Sequence, residues 1–328
     1  YGVEWEEGNH TEEKILNATE VVKSPGIPEN APMVEKVRQA GIPIISEIEF
    51  AGRYTHARMI CVTGSNGKTT TTSLIYHIFQ EAGYNVGLAG NIGRSLALQI
   101  AEGKNFDYYI IELSSFQLDN MYRFRANIAI LLNITPDPLD RYEFKFENYA
   151  DAKMRITQNQ VKADAFIYWN DDPVIQHELT KTAVGATLYP FGLEKSDALK
   201  GYNTDGEYVL TAPTRLEMKQ EELRLTGKHN MYNSLAAGLA THLAGVAPEV
   251  IRQVLSDCPG VEHRLEKVCR LHGVQYINDS KATNVDACWY ALESMTTPTI
   301  LIVVGKDKGN DYSTLTDLVK EKCKALVY

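Results

Sequence analysis

A short glycine-rich segment places the strongest constraint on the fold of this chain. Residues 64–70 read Gly-Ser-Asn-Gly-Lys-Thr-Thr and stand between the apolar run 58–63 and a helical pattern over about 69–82, which Gly83 ends. A strand, a tight glycine turn and a helix in this order direct backbone N–H groups toward an anion at the helix N-terminus. The pattern therefore predicts an α/β fold with a phosphate-binding site.

The glycine-rich segment is a shortened phosphate loop. Val62 stands where the first glycine of G-x-x-x-x-G-K-[ST] would fall. We expect Lys68 to meet the β- and γ-phosphates of ATP and the Thr69 hydroxyl to bind Mg²⁺. The alternative is a glycine turn that only caps a helix, and the order of strand, Gly-Lys-Thr and helix disfavours it.

Composition narrows the class of protein further. The 328 residues carry a net charge of −9 without a basic stripe, which argues against nucleic-acid binding. No apolar run reaches the roughly 18 residues of a membrane helix, so we expect no membrane partner. The five cysteines lack C-x-x-C spacing, which is typical of reduced thiols, and we expect a cytoplasmic protein. The length predicts two or three domains.

Polar residues follow two further strand patterns. The apolar runs 108–113 and 128–133 predict strands, and their polar ends, with Thr63, point to one crevice because ligands bind at the carboxyl ends of such strands. Glu112 there could hold a magnesium ion, although a solvated strand-end Glu remains the alternative. Tyr149 and Lys153 lie four residues apart on one helix face, where Lys153 alone would be an ordinary surface lysine.

The two ends of the chain look like parts of other domains. The first part has a turn at 24–28, a helix at 33–40 and a strand at 42–45, and the last part has strands at 263–268 and 274–278, a helix at 285–294 and a strand at 299–304. The chain starts without Met and ends in an apolar run, from which we expect a piece of a longer protein. The predicted domains are 1–50, 51–260 and 261–328.

Several motifs in fixed order resemble those of the Mur ligases, the amide-bond-forming enzymes of peptidoglycan synthesis. The resemblance extends over residues 24 to about 312, and the words at 112–118 and 278–284 are closest to the branch that adds D-glutamate. The motifs are the loop 64–70, Gly90-Asn91-Ile92-Gly93, Glu112-Leu113-Ser114-Ser115-Phe116-Gln117-Leu118, Gly227-Lys228-His229-Asn230-Met231-Tyr232-Asn233, Glu262-His263-Arg264 and Asn278-Asp279-Ser280-Lys281-Ala282-Thr283-Asn284.

The resemblance implies a three-domain α/β architecture, with a central P-loop-type ATPase domain flanked by incomplete Rossmann-like domains. It implies ATP-dependent ligation of D-glutamate to UDP-N-acetylmuramoyl-L-alanine through an acyl phosphate, with two Mg²⁺ ions, in a monomer. The cellular roles that follow are cell wall biogenesis, cell shape and cell division.

The family's functional residues can be carried over one by one. For ATP and the first Mg²⁺, the catalytic and metal-binding residues are Lys68, Thr69, Glu112 and Lys153, with Lys153 resembling a lysine that takes up carbon dioxide as a carbamate. The other nucleotide-binding residues are Gly64, Asn66, Gly67, Thr70, Asn230, Asn233, Arg264 and Asp279. For the UDP-substrate they are Ser24, Pro25, Gly26, Asn91, Ser114 and Gln117, and for D-glutamate Lys281, Thr283 and Lys308.

One position departs from the family pattern. The segment 136–142 has Pro138 where the family has a histidine that binds the second Mg²⁺, and proline has no side-chain donor atom. From this we expect weak or absent turnover with largely preserved ATP binding. The alternative functions are a catalytically impaired nucleotide-binding protein on the same fold and, less favoured, a P-loop kinase or GTPase.

Overall fold

The structure, a computed structural model, describes residues 2–136, 145–305 and 311–328. The first part of the chain is a small α/β unit in which Val34, Val37 and Ile44 form the core. Its helix at 33–40 is confirmed to within one residue. The elements are α1 (Glu12–Leu16), β1 (Val21–Val22), α2 (Pro32–Gln39), β2 (Ile44–Ile45) and α3 (Glu47–Gly52), and β1 pairs with β2 in parallel.

A nine-stranded sheet forms the centre of the molecule. The elements of its first half are β3 (Arg58–Thr63), α4 (Lys68–Glu81), β4 (Val86–Gly90), α5 (Leu96–Ala101), β5 (Tyr108–Glu112), α6 (Ser115–Leu118), β6 (Ile128–Leu131) and α7 (Phe146–Met154). Those of its second half are β7 (Ala165–Trp169), α8 (Pro173–Lys181), β8 (Thr187–Gly192), β9 (Gly201–Thr204), β10 (Glu207–Leu210), β11 (Leu216–Lys219), α9 (Lys228–Leu243) and α10 (Pro248–Asp257). The predicted strands at 58–63, 108–113 and 128–133 and the helix at 69–82 are confirmed, with ends that shift by up to two residues.

The strand order is β11-β10-β9-β8-β7-β6-β3-β5-β4. All neighbours from β9 to β4 are parallel, whereas β10 and β11 add an antiparallel edge. The three strands with predicted polar ends, β5, β3 and β6, are therefore adjacent in the middle. Their carboxyl ends meet at one edge of the sheet, where ligands bind in open α/β folds.

Two hydrophobic cores cover the two faces of this sheet. In β3, Ile60 and Val62 belong to the core that contains α4, α9 and α10, while Met59 and Cys61 belong to the opposite core. Successive side chains of a strand point to opposite faces, so a continuous apolar run fits a strand with both faces covered. This burial holds the ends of β3, β5 and β6 in fixed positions.

The last part of the chain carries less buried surface. Its elements are β12 (Glu266–Leu271), β13 (Val274–Asn278), α11 (Val285–Glu293), β14 (Thr299–Ile302), α12 (Thr316–Lys322) and β15 (Cys323–Val327). β12 and β13 form an antiparallel hairpin, and β14 pairs with β15 in parallel. The predicted strand at 263–268 was wrong at its start, because His263 and Leu265 have positive φ angles of 62° and 46° that interrupt an extended chain.

None of the helices in the described ranges is both long and apolar enough to cross a membrane. The boundaries at 50/51 and 260/261 remain predictions.

Candidate functional site

The glycine loop connects β3 to α4 in the middle of the sheet. Gly64 and Gly67 have φ angles of 149° and 85°, in the region that favours glycine. A Cβ atom on Gly67 would also collide with Oδ1 of Asn233 on α9. Both glycines are therefore required by the turn, and the second lets the loop approach α9.

Asn133, just beyond β6, holds this loop from the side. Its Oδ1 accepts a hydrogen bond from the Asn66 N–H at 2.8 Å, and its Nδ2 donates to the Asn66 carbonyl at 3.0 Å. The Ser65 N–H donates to the Asn133 carbonyl at 3.0 Å, and the Ser65 hydroxyl donates to the Thr135 carbonyl at 2.9 Å. The hydrogen bonds from Asn133 and Thr135 thus hold the backbone of the loop in place.

Two lysine ammonium groups converge on the loop. Lys68 Nζ donates to the Gly64 and Ser65 carbonyls at 2.7 and 2.9 Å, and Lys153 Nζ donates to the Gly64 carbonyl at 2.9 Å. Lys153 on α7 is buried, and its Nζ lies 4.6 Å from the centre of the Tyr149 ring. Two cations beside an array of N–H groups favour a polyanionic ligand such as a triphosphate.

Glu112, at the end of β5, is a buried carboxylate with one unused oxygen. Its Oε1 accepts a hydrogen bond from Asn91 Nδ2 at 2.9 Å, while its Oε2 has no hydrogen-bond partner among the described residues. The Thr63 hydroxyl, at the end of the adjacent strand β3, is likewise buried without a partner in those ranges. A buried charge left unpaired is costly. The unpaired Glu112 oxygen therefore fits a cation.

The cation would need further ligands in addition to the Glu112 carboxylate. Within residues 2–136, 145–305 and 311–328, no three His, Cys, Asp or Glu side chains come together as a metal site. Magnesium commonly binds one or two carboxylates together with substrate phosphates and water. A single carboxylate, Glu112, beside a phosphate loop matches this mode of magnesium binding.

Residues 226–230 and α11 enclose a cleft near the start of α9. Asn230, Arg264 and Asp279 line it, together with His229 and Tyr290, whose rings stack at 4.9 Å. The Arg264 Nε is buried without a hydrogen-bond partner in the described part of the chain. The structure thus brings three of the predicted nucleotide residues into one cleft.

Burial changes the protonation of two groups in this cleft. It lowers the pKa of His229 to about 4, and the nearby Arg264 adds to this effect, so the ring is neutral at pH 7. Burial also raises the pKa of Asp279. Two smaller effects lower it: the Leu265 N–H donates to Asp279 Oδ1 at 3.0 Å, and Arg264 contributes a nearby positive charge. The cleft therefore brings together a neutral aromatic ring, the Arg264 guanidinium and the Asp279 carboxyl group.

Asn233 occupies a different place, between this cleft and the loop. Its Oδ1 accepts a hydrogen bond from the Thr71 hydroxyl at 3.2 Å, and its Nδ2 faces Asn230 Oδ1 at 3.4 Å. It links α4 to α9 at the point where Gly67 approaches.

The predicted substrate residues have structural partners of their own. Ser114 and Gln117 form a capping box at the start of α6, in which the Gln117 N–H donates to Ser114 Oγ and the Ser114 N–H donates to Gln117 Oε1. In the turn at 24–28, the Gly26 N–H donates to Ser24 Oγ at 3.4 Å. Substrate contact by these residues and by Pro25 remains a prediction.

Lys281 and Thr283 are exposed in the connection between β13 and α11. The Lys281 N–H donates to the His263 carbonyl at 3.1 Å. Lys308 and Pro138 lie outside the described residues, so their predicted roles stay predictions.

Sequence reasoning missed three residues of this site. His229 stands inside a recognised motif, and Thr135 and Tyr290 lie near others, but none of them carried a predicted role. Their contacts join residues far apart in the chain, such as Ser65 with Thr135 and His229 with Tyr290. The motif around His229 was the available signal.

Known proteins match this chain along its whole length. The Mur ligase middle domain family matches residues 62–241. A protein of Bacteroides fragilis named UDP-N-acetylmuramoylalanine–D-glutamate ligase is 66% identical over 328 residues, which is 100% of this chain and 74% of the relative. A protein of Porphyromonas gingivalis with the same name is 54% identical over 331 residues, covering 100% and 73%.

Solved structures with low sequence identity share the fold. MurF from Acinetobacter baumannii has a TM-score of 0.67 at 18% identity, over 84% of this chain and 69% of that one. FolC of E. coli, in complex with DHPP and ADP, has a TM-score of 0.65 at 17% identity, over 86% and 78%. The α/β architecture expected from the motifs is shared with these proteins. The chain thus belongs to the Mur ligase family, in the group of the UDP-N-acetylmuramoylalanine–D-glutamate ligases.

Proposed function

We propose that this chain joins D-glutamate to UDP-N-acetylmuramoyl-L-alanine at the expense of ATP. The observation that carries the proposal is the buried Glu112 carboxylate, with its orphaned Oε2, at the sheet edge where a phosphate loop and Lys153 also meet. The identity of 66% to a relative with this name supports the choice of substrates.

The reaction proceeds in two steps that balance. A carboxylate oxygen of the L-alanyl group attacks the γ-phosphorus of ATP, so that ADP leaves and an acyl phosphate forms. The D-glutamate amine then attacks the carbonyl carbon, a proton is lost, and phosphate leaves from the tetrahedral intermediate as the amide forms. Phosphorylation is needed because a carboxylate is a poor acyl donor until its oxygen becomes a good leaving group.

The residues of this chain bind and orient the anionic groups in both steps. The loop N–H groups and Lys68 hold the phosphates, and the hydrogen bonds of Asn133 with Asn66 orient the loop toward them. The cleft at Arg264 and Asp279, with Asn230, receives the nucleoside part of ATP.

Thr69, Glu112 and a carbamate on Lys153 would hold Mg²⁺. Bound there, Mg²⁺ offsets the negative charge that gathers among the phosphates and the carboxylate. Carbamylation would turn the buried Lys153 cation, whose Nζ lies 2.9 Å from the Gly64 carbonyl oxygen, into an anionic ligand.

The two carboxylates of D-glutamate would bind Lys281, Thr283 and Lys308. The UDP-substrate would contact Asn91, Ser114, Gln117 and the turn with Ser24, Pro25 and Gly26. We also propose that the chain acts as a monomer in the cytoplasm, without nucleic-acid or membrane partners.

A phosphate-release assay with substrate omission tests this function. We expect phosphate release from ATP only when Mg²⁺, UDP-N-acetylmuramoyl-L-alanine and D-glutamate are all present, with one amide product formed per phosphate. Release with neither acceptor present would instead indicate a simple ATPase. Tight ATP binding without release under any condition would indicate a binding protein.

The relatives do not favour a catalytically impaired protein, since they are named as ligases and match the whole chain. The effect of Pro138 remains a prediction. Replacing it with a metal-binding side chain, Pro138→His, should raise the rate of ADP release while ATP affinity stays within about twofold. Leu139→His, at the next position, is the matched control. No gain in ADP release with Pro138→His would contradict this explanation.

A further inference from the structure

A hydrogen bond joins the phosphate loop to the segment that precedes α11. Asn284 Nδ2 donates to Asn66 Oδ1 at 3.0 Å, across 218 residues of sequence. Asn66 is 5% exposed, so the bond lies where water competes poorly for it. We refer to this bond as the Asn66–Asn284 contact.

Asn66 connects two sides of the site. Its backbone N–H and carbonyl are both bonded to the Asn133 side chain, and its own side chain reaches Asn284 through Oδ1 and Thr135 Oγ1, at 3.5 Å, through Nδ2. The residues before and after it, Ser65 and Gly67, belong to the phosphate-binding turn. Any adjustment of the turn on phosphate binding therefore displaces the Asn66 amide as well.

Asn284 is also held in a defined orientation, at the start of α11. It is the N-cap of α11, where its Oδ1 accepts a hydrogen bond from the Ala287 N–H at 2.8 Å. Its Nδ2 is thereby directed to Asn66, and its backbone follows Thr283 directly. The position of Asn284 consequently sets where Thr283 and Lys281 stand relative to the phosphate loop.

We propose that the Asn66–Asn284 contact is a positioning device that couples nucleotide binding at the loop to the placement of the D-glutamate-binding segment 281–283. This inference rests on the proposed function, because it takes ADP and D-glutamate as the ligands. Coupling of this kind is reciprocal, so each ligand strengthens the binding of the other.

The variant Asn284→Ser separates this role from helix capping. Serine is a good N-cap, so α11 keeps its hydrogen bond to Ala287, but the shorter side chain cannot reach Asn66. Asn284→Ala, which loses both bonds, is the control for a purely structural effect. We expect the thermal midpoint of Asn284→Ser to stay within about 2 °C of the wild type and that of Asn284→Ala to fall further.

Hydrogen exchange with MgADP as the probe tests the coupling without any ligase activity. In the wild type, we expect MgADP to slow exchange in both 64–71 and 281–288. In Asn284→Ser, we expect protection of 64–71 to remain and protection of 281–288 to fall at least about threefold. Equal protection of 281–288 in both proteins would overturn the inference.

The KM for D-glutamate is a second measurement, and a purely structural role of the contact would not change it selectively. Asn284→Ser and Asn66→Ser should each raise KM for D-glutamate by about 3- to 10-fold, the size of one lost hydrogen bond. KM for UDP-N-acetylmuramoyl-L-alanine should stay within about twofold. The double variant should raise KM for D-glutamate no more than Asn66→Ser alone, because Asn66→Ser already removes the Asn66–Asn284 contact.

Multiplicative effects of the two substitutions, or an unchanged KM for D-glutamate in Asn284→Ser, would also overturn it. A wild-type chain that forms no amide would refute the proposed function alone, since the exchange experiment still decides the coupling.

Discussion

Glu112 shows how a single side chain can reveal what a site binds. Its carboxylate is buried at the carboxyl end of β5, with one oxygen bonded to Asn91 and the other unpaired within the described ranges. Burying an unpaired charged oxygen lowers stability unless a ligand compensates for it. The protein accepts this cost at the end of a strand adjacent to β3, which leads into the phosphate loop, and this is typical of a cation site.

The substitution Glu112→Gln should affect stability and activity in different directions. Glutamine keeps the oxygen that accepts from Asn91 but removes the charge. We expect an unchanged or higher thermal midpoint without Mg²⁺, together with a loss of about 100-fold or more in kcat. Calorimetry with and without MgADP checks this, since the variant should gain less stability from MgADP than the wild type.

Asn91→Ala is the control, because it removes the partner of Glu112 and leaves the charge. It should lower the midpoint without Mg²⁺. A Glu112→Gln protein with near-normal kcat would contradict a metal-binding role.

His229 makes stability depend on pH. Burial and Arg264 lower its pKa to about 4 in the folded protein, compared with about 6.5 in the unfolded chain. The folded state therefore binds fewer protons between these values, so its stability is complete above pH 6.5 and falls as pH drops toward 4. The ring is partly exposed, and we expect a loss of about 1–2 kcal/mol over this window.

The comparison of wild type with His229→Gln isolates this term, because other groups titrate equally in both proteins. Urea unfolding at pH 7 and pH 4.5 should give a smaller difference for the variant. Equal pH dependence of the two proteins would exclude His229 as the cause.

At the scale of elements, Asp172 ties α8 to the segment that holds the phosphate loop. It caps α8, with Oδ1 accepting from the Val174 and Ile175 N–H groups at 2.8 and 3.0 Å. Its Oδ2 accepts from the Ile134 N–H at 2.8 Å, between Asn133 and Thr135. Asp172 is buried, and all three donors are backbone groups that have to be satisfied.

Asp172→Asn should lose one of these connections, because an amide has a single acceptor oxygen. We expect a destabilisation of about 1–3 kcal/mol and a weaker affinity for ATP, since residues 133–135 position Ser65 and Asn66. Asp171→Asn is the matched control at an exposed neighbouring position. Urea unfolding and ATP titration check both variants, and equal behaviour of the two would contradict the role of Asp172.

Elements were predictable where a strong pattern and a motif coincided. The run 58–63, the glycine loop and the helix after it mark β3 and α4 directly. The strands β7 to β11 were not predicted, since most of them are short, and β8 contains Pro190 and ends at Gly192. Their pairing depends on neighbours in the sheet more than on local propensity.

The contacts that assemble the site were beyond sequence reasoning for a different reason. Asn133 was expected in the crevice because it ends a predicted strand. Its two hydrogen bonds with Asn66, however, depend on the adjacency of β3 and β6. The contact of Asn66 with Asn284 depends on how two distant segments pack. Motif order predicted which residues matter, whereas the fold decides which of them touch.

At the scale of the whole molecule, burial is distributed unevenly. The central strands are enclosed on both faces, with Ile60 and Ile130 fully buried, whereas Leu271 and Val274 of the β12–β13 hairpin are more than half exposed, at 56% and 53%. Local opening costs less free energy where fewer apolar contacts are lost.

We therefore expect residues 266–278 and 299–302 to exchange their amide hydrogens at least about 100-fold faster than β3 and β6 in the ligand-free protein. A difference of this size corresponds to local opening of the last part of the chain while the nine-stranded sheet stays closed. The exchange rates of the β1–β2 pair, another two-stranded sheet, can be compared with these in the same experiment. Uniform exchange across all these strands would mean that the molecule opens as one cooperative unit, and the cleft between α9 and α11 would then be as stable as the sheet itself.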